Sequence, residues 1–513
     1  MIIKKEQEGW QFRSRGNNQE LKTKIFLLLI IILSAVLRIY DIETKNMWFD
    51  EIFSWKLSQS SFKDIIIQTS GDIHPPFYYM LLSIWTSVFS DSIFSMRMMS
   101  VLFGILSIVF IYRISGMIFE SKTSVFFVLL LYAVSPVNIF YSQEVRMLNL
   151  NLFLCLGSVY FFLMSLKNNS GRYILLFILF SVLAVYTHYF ALLIVFTEFI
   201  VLLLKIIFRK SSFKNLKKQF AGLIAVNILF IPWYPVFFRQ VSKGQPWRTV
   251  LSFKDTGLNF LAYFKDVFLS AYFSFEPSYI QYLSVFISYI ILAYLLYSLF
   301  KYISSGENMM NDFNYTVLFF YIPLAIALLI SFRQSIVFSR YLSIIIPFFI
   351  ITLLFFSDRL YKKKFTVVLF MFLFAVSSLG TYINYENKFK NNDYRKITAY
   401  LEENIISGDK IIPEPHFMGF GIEYYIKHSV TRLPGPETLG WDLKMQLDSI
   451  RNRPDISSFW LILDYSSLEN ENYYTAEKDL KDIGYEKKES RTFYIIPAKV
   501  SVSRYIKSGE TIK

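Results

Sequence analysis

The chain has 513 residues, of which 54% are hydrophobic, 19% aromatic and only 18% charged, with a mean hydropathy of +0.40. Soluble domains do not combine such apolarity with so little charge, so a water-soluble globular protein is excluded. The net charge of +14 would suggest nucleic acid in a soluble chain. Here the basic residues lie in short segments between apolar runs, where Lys and Arg mark one side of a membrane, and no nucleic-acid partner is expected. The single cysteine, Cys155, rules out an intrachain disulfide and any Cys-based metal site.

The chain opens with a basic lead, residues 1–23, carrying Lys4, Lys5, Arg13, Arg15 and Lys22. The apolar run that follows, 24–40, ends SAVLRIY without a small-x-small cleavage pattern and reads as a retained signal anchor. A long segment, 41–95, comes next. It contains MWFDEIFSW, GDIHPPFYYM and the apolar stretch FYYMLLSIWTSVFS at 77–90. At about 14 residues that stretch is short for a crossing and suits a helix lying in the interface. Further spans are expected near 96–118, 124–140, 147–166, 173–190, 191–208, 220–238, 279–300, 315–331, 341–357 and 365–383.

Charge settles the sides. If 77–90 does not cross, the two densest basic clusters between spans fall on the same side as the basic lead. One is Lys205, Arg209, Lys210, Lys214, Lys217 and Lys218; the other is Arg359, Lys362, Lys363 and Lys364. If it crosses, both move to the opposite side and break the positive-inside rule. The expectation is therefore a polytopic α-helical protein of the cytoplasmic (inner) membrane with eleven spans and a cytoplasmic N-terminus. Residues 24–384 form its membrane domain. Beyond Tyr382 the composition turns polar. DYRKITAYLEENI reads as an amphipathic helix, KIIPEP, FWLILDY and TFYIIPA as strands, and YTAEKDLKDIGY as a further helix. Residues 385–513 thus make a small extracytoplasmic α/β domain.

In this topology the polar residues near span ends gather on the outer face. Asp50 and Glu51 follow the first span, and His74 precedes a Pro-Pro pair that suits a first helical turn. Glu144 and Arg146 lie in NIFYSQEVRMLNL, His188 in VYTHYF, and Arg333 and Arg340 in FRQSIVFSRY. Charges at a membrane edge are costly unless paired or functional, and these come from at least five segments. There is no phosphate-binding loop, no G-x-G-x-x-G and no H-E-x-x-H. A carboxylate can act as general base toward a hydroxyl, and arginine can hold a phosphate bidentately. Aromatic walls suit sugar rings and isoprenoid tails. The residues point to group transfer from a lipid-linked phosphate donor.

WFDE after the first span, HPPFYY, YSQEVR, YTHYF and SRYL followed by Pro347 together resemble glycosyltransferase family 39. That family includes the protein O-mannosyltransferases and the lipid A aminoarabinose transferase, and the likeness extends over roughly 24–400. The resemblance implies a GT-C fold, a many-span bundle with interfacial helices in the first outer loop, and a glycosyltransferase activity. It implies that Asp50 is the first-loop acid that accepts the acceptor's proton or positions the acceptor, with Glu51 completing the pair. It places Glu144 and Arg146 in the second acidic element and Arg340 with Tyr341 in a later outer loop. His74 stands where the aminoarabinose transferase has a lysine, a departure that keeps a cation available but makes its charge pH-dependent. His188 joins these on the substrate-binding side.

The resulting expectation is an inverting transfer of a sugar from a polyprenyl-phosphate donor to a hydroxyl on lipid, glycan or protein. No cofactor is required, and Asp50, Glu51 and Glu144 leave a divalent metal open. Two alternatives stand beside it: a transporter or lipid-linked glycan flippase, and a ligase or oligosaccharyltransferase moving a preassembled glycan. Acceptor choice is assigned to the outer domain or to the loop 239–278, with its aromatic-basic KGQPWRTV.

Overall fold

The computed structural model describes residues 2–243, 252–269, 278–306, 310, 314–386, 393–406, 409–414, 418–426, 431–432, 450, 456–464, 478–495 and 498–509. Most of KGQPWRTV and residues 474–477 of YTAEKDLKDIGY lie outside them. The chain divides into two compact units. One comprises residues 1–42 and 60–387, the other 43–59 with 388–513.

The first unit is helical throughout. Helix α1 (Ile2–Ile39) belongs to it; α2 (Phe49–Ser58) belongs to the second unit. Two short helices follow, α3 (Phe62–Gly71) and α4 (Phe77–Phe89). The 13 residues of α4 give roughly 20 Å of helix, short of a hydrocarbon core of about 30 Å. Then come α5 (Ile93–Ile118), α6 (Lys122–Ala133), α7 (Pro136–Ser142), α8 (Leu148–Asn168), α9 (Gly171–Thr187), α10 (Ala191–Ile207) and α11 (Phe213–Phe230). Helix α12 (Tyr234–Lys243) extends α11, and α13 (Phe253–Leu269) and α14 (Ser278–Ser304) follow. Finally α15 (Leu318–Ser331), α16 (Ile346–Leu360) and α17 (Lys363–Glu386) complete the bundle.

All eleven expected spans fall on helical segments, with 124–140 divided between α6 and α7 and 220–238 between α11 and α12. Among the described residues, seven helices are long and apolar enough to cross a membrane alone, or eight if the bent pair α6–α7 is one span. The protein is thus a multi-pass membrane protein. Helices α9 and α10, at 17 residues each, fall below that length.

The α6–α7 break is the main irregularity. The two segments are bent by 54° at Val134–Ser135, where Pro136 opens α7 and withholds a backbone N–H. Carbonyls freed inside a bilayer need other donors, and neighbouring helices supply them. Arg38 of α1 donates to Ala133 O at 3.1 Å and Tyr132 O at 3.4 Å. From α17, Thr381 donates to Val134 O at 2.8 Å and Asn384 to Pro136 O at 2.9 Å. Ser135 in turn donates to Val267 O of α13 at 2.9 Å.

The second unit carries helices α18 (Arg395–Asn404) and α19 (Met418–Tyr425) and strands β1 (Lys410–Glu414), β2 (Thr431–Arg432), β3 (Ser458–Asp464), β4 (Tyr485–Ile495) and β5 (Ala498–Lys507). The sheet order is β2-β1-β3-β5-β4. Strand β1 runs parallel to β2 and β3, and β5 pairs antiparallel with β3 and β4. The expected amphipathic helix and three strands are all present. Ile412, Phe459, Leu461, Leu463, Tyr485 and Tyr505 form its core. Buried Asp409 accepts from Ser458, from Trp460 Nε1 at 3.0 Å and from Arg504 at 3.0 Å. Helix α2 packs on α19 in this unit. Met47 N–H donates to Tyr425 Oη at 2.8 Å, Lys56 pairs with Glu423 at 2.5 Å, and Trp55 meets Tyr424 edge-on at 4.9 Å.

Candidate active site

The eight residues singled out in the sequence divide between the units. Asp50 and Glu51 stand in the first turn of α2, in the second unit. A helix N-terminus favours negative charge, so the pair also fits its local helix. Asp50 is half-buried and Glu51 buried. His74, Glu144, Arg146, His188, Arg340 and Tyr341 all belong to the first unit.

In that unit the loop between α7 and α8 carries Glu144 and Arg146, and a dense polar network fixes it. Gln143 Nε2 donates to the carbonyls of Arg38 and Tyr40, at 3.1 and 2.7 Å, capping the end of α1. Ser100 of α5 donates to Glu144 O at 2.6 Å. Asn149 of α8 donates to Ser142 Oγ at 2.7 Å and to Ser100 O at 3.0 Å. Arg38 Nε adds a bond to Ser142 Oγ at 3.1 Å. The loop is therefore held from α1, α5 and α8, and Glu144 and Arg146 are both buried.

Arg146 reaches His74, with a nitrogen–nitrogen distance of 3.1 Å. A guanidinium has no acceptor, so His74 Nε2 must accept and the ring is neutral in this arrangement, with its proton on Nδ1. The His74 and His188 rings are neighbours, centroids 5.3 Å apart and planes tilted by 36°. His188 caps α9, and its Nδ1 accepts the Phe190 N–H at 3.2 Å. Its proton therefore sits on Nε2. In this arrangement His188 offers Nε2–H as a donor. Tyr341 stacks on Phe190 at 5.1 Å and stands 6.2 Å from His188. The six residues of the first unit are accordingly brought into one region.

Next to this region lies a cavity of about 320 Å³ lined by His74, His188, Phe190, Leu193, Phe237 and Tyr341, among other mostly apolar groups. Gln240 of α12 closes one wall. It donates to Thr69 O at 2.8 Å and accepts from Tyr189, which itself accepts from Trp233 Nε1 at 2.8 Å. The cavity offers an apolar body with a few polar groups at one end, the usual make-up of a small-molecule site.

Sequence reasoning missed a second carboxylate. Asp266 of α13 accepts from Ser339 Oγ at 2.8 Å, and Lys265 Nζ lies 3.4 Å from its other oxygen. Tyr141 Oη stands 3.4 Å from Ser339 Oγ, so α7, α13 and the SRYL segment meet here, one residue from Arg340. Burial pushes the Asp266 carboxyl up to about 6, against the pull of Lys265 and the hydrogen bond from Ser339. Only its place in an otherwise apolar run, DVFLSAYF, hinted at a role. Among the described residues no group of three metal-ligating side chains gathers.

Residues 73–235 match the family model described as dolichyl-phosphate-mannose-protein mannosyltransferase, a stretch that holds HPPFYY, YSQEVR and YTHYF. No curated protein matches the chain. Among solved structures, the chain is similar to the oligosaccharyltransferase AglB of Archaeoglobus fulgidus, in complex with an inhibitory peptide and a dolichol-phosphate. Identity is 13%, coverage is 96% of this chain and 75% of that one, and the TM-score is 0.55. ArnT from Cupriavidus metallidurans in the apo state matches at 12% identity over 94% of this chain and 98% of that one, TM-score 0.47. The S. cerevisiae Pmt1–Pmt2 protein O-mannosyltransferase complex, bound to the sugar donor, matches at 21% identity over 42% of this chain and 33% of that one, TM-score 0.34. The likeness to AglB gives the fold alone, and over residues 73–235 the chain is similar to the mannosyltransferase family.

Proposed function

We propose that the chain transfers a single sugar from a polyprenyl-phosphate donor to an acceptor hydroxyl at the outer face of the cytoplasmic membrane. The observation that carries this reading is the juxtaposition of Arg146, two neutral imidazoles and an apolar cavity in one region. A prenyl tail fits the cavity. The donor phosphate then lies toward Arg146 and Arg340, where His188 Nε2–H offers a neutral hydrogen bond. A neutral donor beside two guanidinium groups stabilises the phosphate without adding charge repulsion among the three. Dolichol-phosphate in the AglB complex and the mannosyl-phosphate chemistry named by the family model support the same donor class.

The reaction is a single displacement with inversion. The acceptor oxygen forms a bond to the anomeric carbon as the bond from that carbon to the phosphate oxygen breaks. The acceptor proton passes to the Asp50 carboxylate, and polyprenyl phosphate leaves as the anion held by arginine. Glu51 stands beside Asp50 in the first turn of α2, Glu144 shares its loop with Arg146, and Asp266 fixes Ser339 and thereby the backbone that presents Arg340. A positioned general base contributes typically about 10²–10⁴-fold.

The test uses purified protein in nanodiscs, radiolabelled polyprenyl-phosphate sugars and a panel of lipid, glycan and peptide acceptors. Label moved singly to an acceptor with inverted anomeric configuration supports the proposal. Transfer of a preassembled glycan only, or uptake of label into vesicles without transfer, overturns it.

A further inference from the structure

The end of the bundle away from the candidate site carries a cationic cluster of its own. On α5, Ser100 holds the Glu144 carbonyl, and Arg113 lies 13 residues farther along, roughly 20 Å at the helical rise. Two cavities meet at that far end. The first, of about 460 Å³, mixes apolar walls with the polar and charged groups Tyr112, Arg113, Glu120, Lys122 and Tyr160. The second, of about 540 Å³, is an apolar groove between α1 and α6 lined by Phe26, Leu29, Ile30, Leu33, Phe127 and Leu130, with Lys22 at its polar end. Both include Thr23, Lys122 and Phe126, so the two share a wall and place a charged recess directly beside an apolar groove.

Its dimensions match one leaflet. From Lys22 to Leu33 is 11 residues of α1, roughly 16 Å, about half of a hydrocarbon core of about 30 Å. Its charge is also unbalanced. Glu20 pairs with Lys24 at 2.8 Å, and Glu120 lies 3.6 Å from Arg359. Asp358 accepts from Ser124 at 3.2 Å. The Lys122 ammonium donates to a neutral group, Thr23 Oγ1, at 3.2 Å. Lys22, Lys24, Arg113, Lys122 and Arg359 therefore exceed Glu20, Glu120 and Asp358 by two positive charges.

We propose that this recess binds an anionic phospholipid, its phosphate among Lys22, Arg113 and Lys122 and one acyl chain in the α1–α6 groove. A zwitterionic lipid carries a cation that this cluster repels, and inorganic phosphate cannot fill the groove. The site is separate from the sugar-transfer region and does not rest on the activity proposed above. It clamps together α1, which carries Arg38, and α6, which leads into the bend before YSQEVR.

The experiment compares the full chain in nanodiscs of phosphatidylcholine alone and with added phosphatidylglycerol. Lipid retention is read by native mass spectrometry and unfolding by the thermal midpoint. Two variants are used, the double change Lys22→Gln with Lys122→Gln, and Leu29→Trp, which fills the groove. A juxtamembrane cation contributes roughly fivefold to binding of an anionic surface, so the double variant should bind phosphatidylglycerol on the order of 25-fold more weakly. Leu29→Trp should lose the retained lipid while its midpoint in phosphatidylcholine stays near wild type. Sodium phosphate should not shift the wild-type midpoint. Equal retention of the two lipids by the wild type, a phosphate-induced shift of the same size, or undiminished phosphatidylglycerol binding by the double variant would each overturn the proposal.

Discussion

Replacing Arg38 with methionine isolates what holds the broken helix and the loop beyond it. Arg38 is fully buried. Its guanidinium donates to Ser34 Oγ at 2.6 Å, to Ser142 Oγ and Ala133 O at 3.1 Å each, and to Tyr132 O at 3.4 Å. Methionine keeps most of the volume and none of the donors. Ser142 retains the bond from Asn149, and Tyr132 O retains the Ser135 N–H at 3.4 Å. The Ala133 carbonyl loses its donor outright, which costs about 1–3 kcal/mol in a buried setting. Removing the cation works the other way, because burying a charge carries a desolvation penalty of several kcal/mol. Net destabilisation should thus stay within about 1–3 kcal/mol. The rate should suffer more, because the segment bearing Glu144 and Arg146 loses a tether and a misplacement of about 1 Å can cost on the order of 100-fold. Arg38→Lys should fall between, one ammonium being unable to span four acceptors. Thermal midpoints in nanodiscs and initial rates of sugar transfer measure the two effects separately. A methionine variant with wild-type rate and midpoint would refute the reasoning.

Three further outcomes are expected. Arg340→Ala should weaken donor binding by about 10–150-fold, the equivalent of a charge-assisted hydrogen bond of roughly 1.5–3 kcal/mol, and Arg340→Lys should restore part of it because an ammonium lacks the planar fork; titration with a labelled donor decides. Asp50→Asn should lower turnover by about 10²–10⁴-fold with donor binding retained, and turnover at the wild-type rate would remove the carboxylate from the reaction. Finally, with native Cys155 buried, a cysteine at exposed Ser508 should react with an impermeant thiol reagent in spheroplasts and one at exposed Lys210 only after lysis; the reverse pattern would invert the topology.

Much of the fold was legible because the bilayer imposes a length and lipid imposes self-satisfied helices. The periodic and apolar signals placed all eleven segments on helices, and the polar C-terminal region showed its strands by short runs such as FWLILDY. What the sequence concealed was geometry set by long-range contacts. The run 124–140 reads as one span, yet Pro136 and its neighbours turn it into α6 and α7. The imidazoles were recognisable as residues, but the proton on each was not. It is fixed by Arg146 for His74 and by the Phe190 N–H for His188. Asp266 was passed over because it opens an apolar run, and its partner Ser339 and that serine's own partner Tyr141 are 73 and 125 positions from it in the chain. MWFDEIFSW was visible as an acidic pair among aromatics, but that α2 packs on α19 could not be read locally.

The polar residues inside apolar helices are a stronger structural signal than the charges at their ends. A charge at a membrane edge can reach water by snorkelling, so its presence constrains little. A polar group within a span has no such escape, and several here meet a partner on another helix. Arg38, Thr381 and Asn384 serve carbonyls at the α6–α7 bend. Asn149 links α8 to α5 and α7. Glu198 of α10 accepts from Ser158 of α8 at 2.7 Å, and Ser158 meets Ser181 of α9 at 2.8 Å. These bonds cross-link the helices whose ends carry Glu144, Arg146 and His188. Hydrogen bonds between membrane helices average only about 0.6 kcal/mol each, so no one of them accounts for the bundle's stability. Their effect is to select one register of α7, α8, α9 and α10, and it is that register which brings His74, Arg146 and His188 within reach of one another.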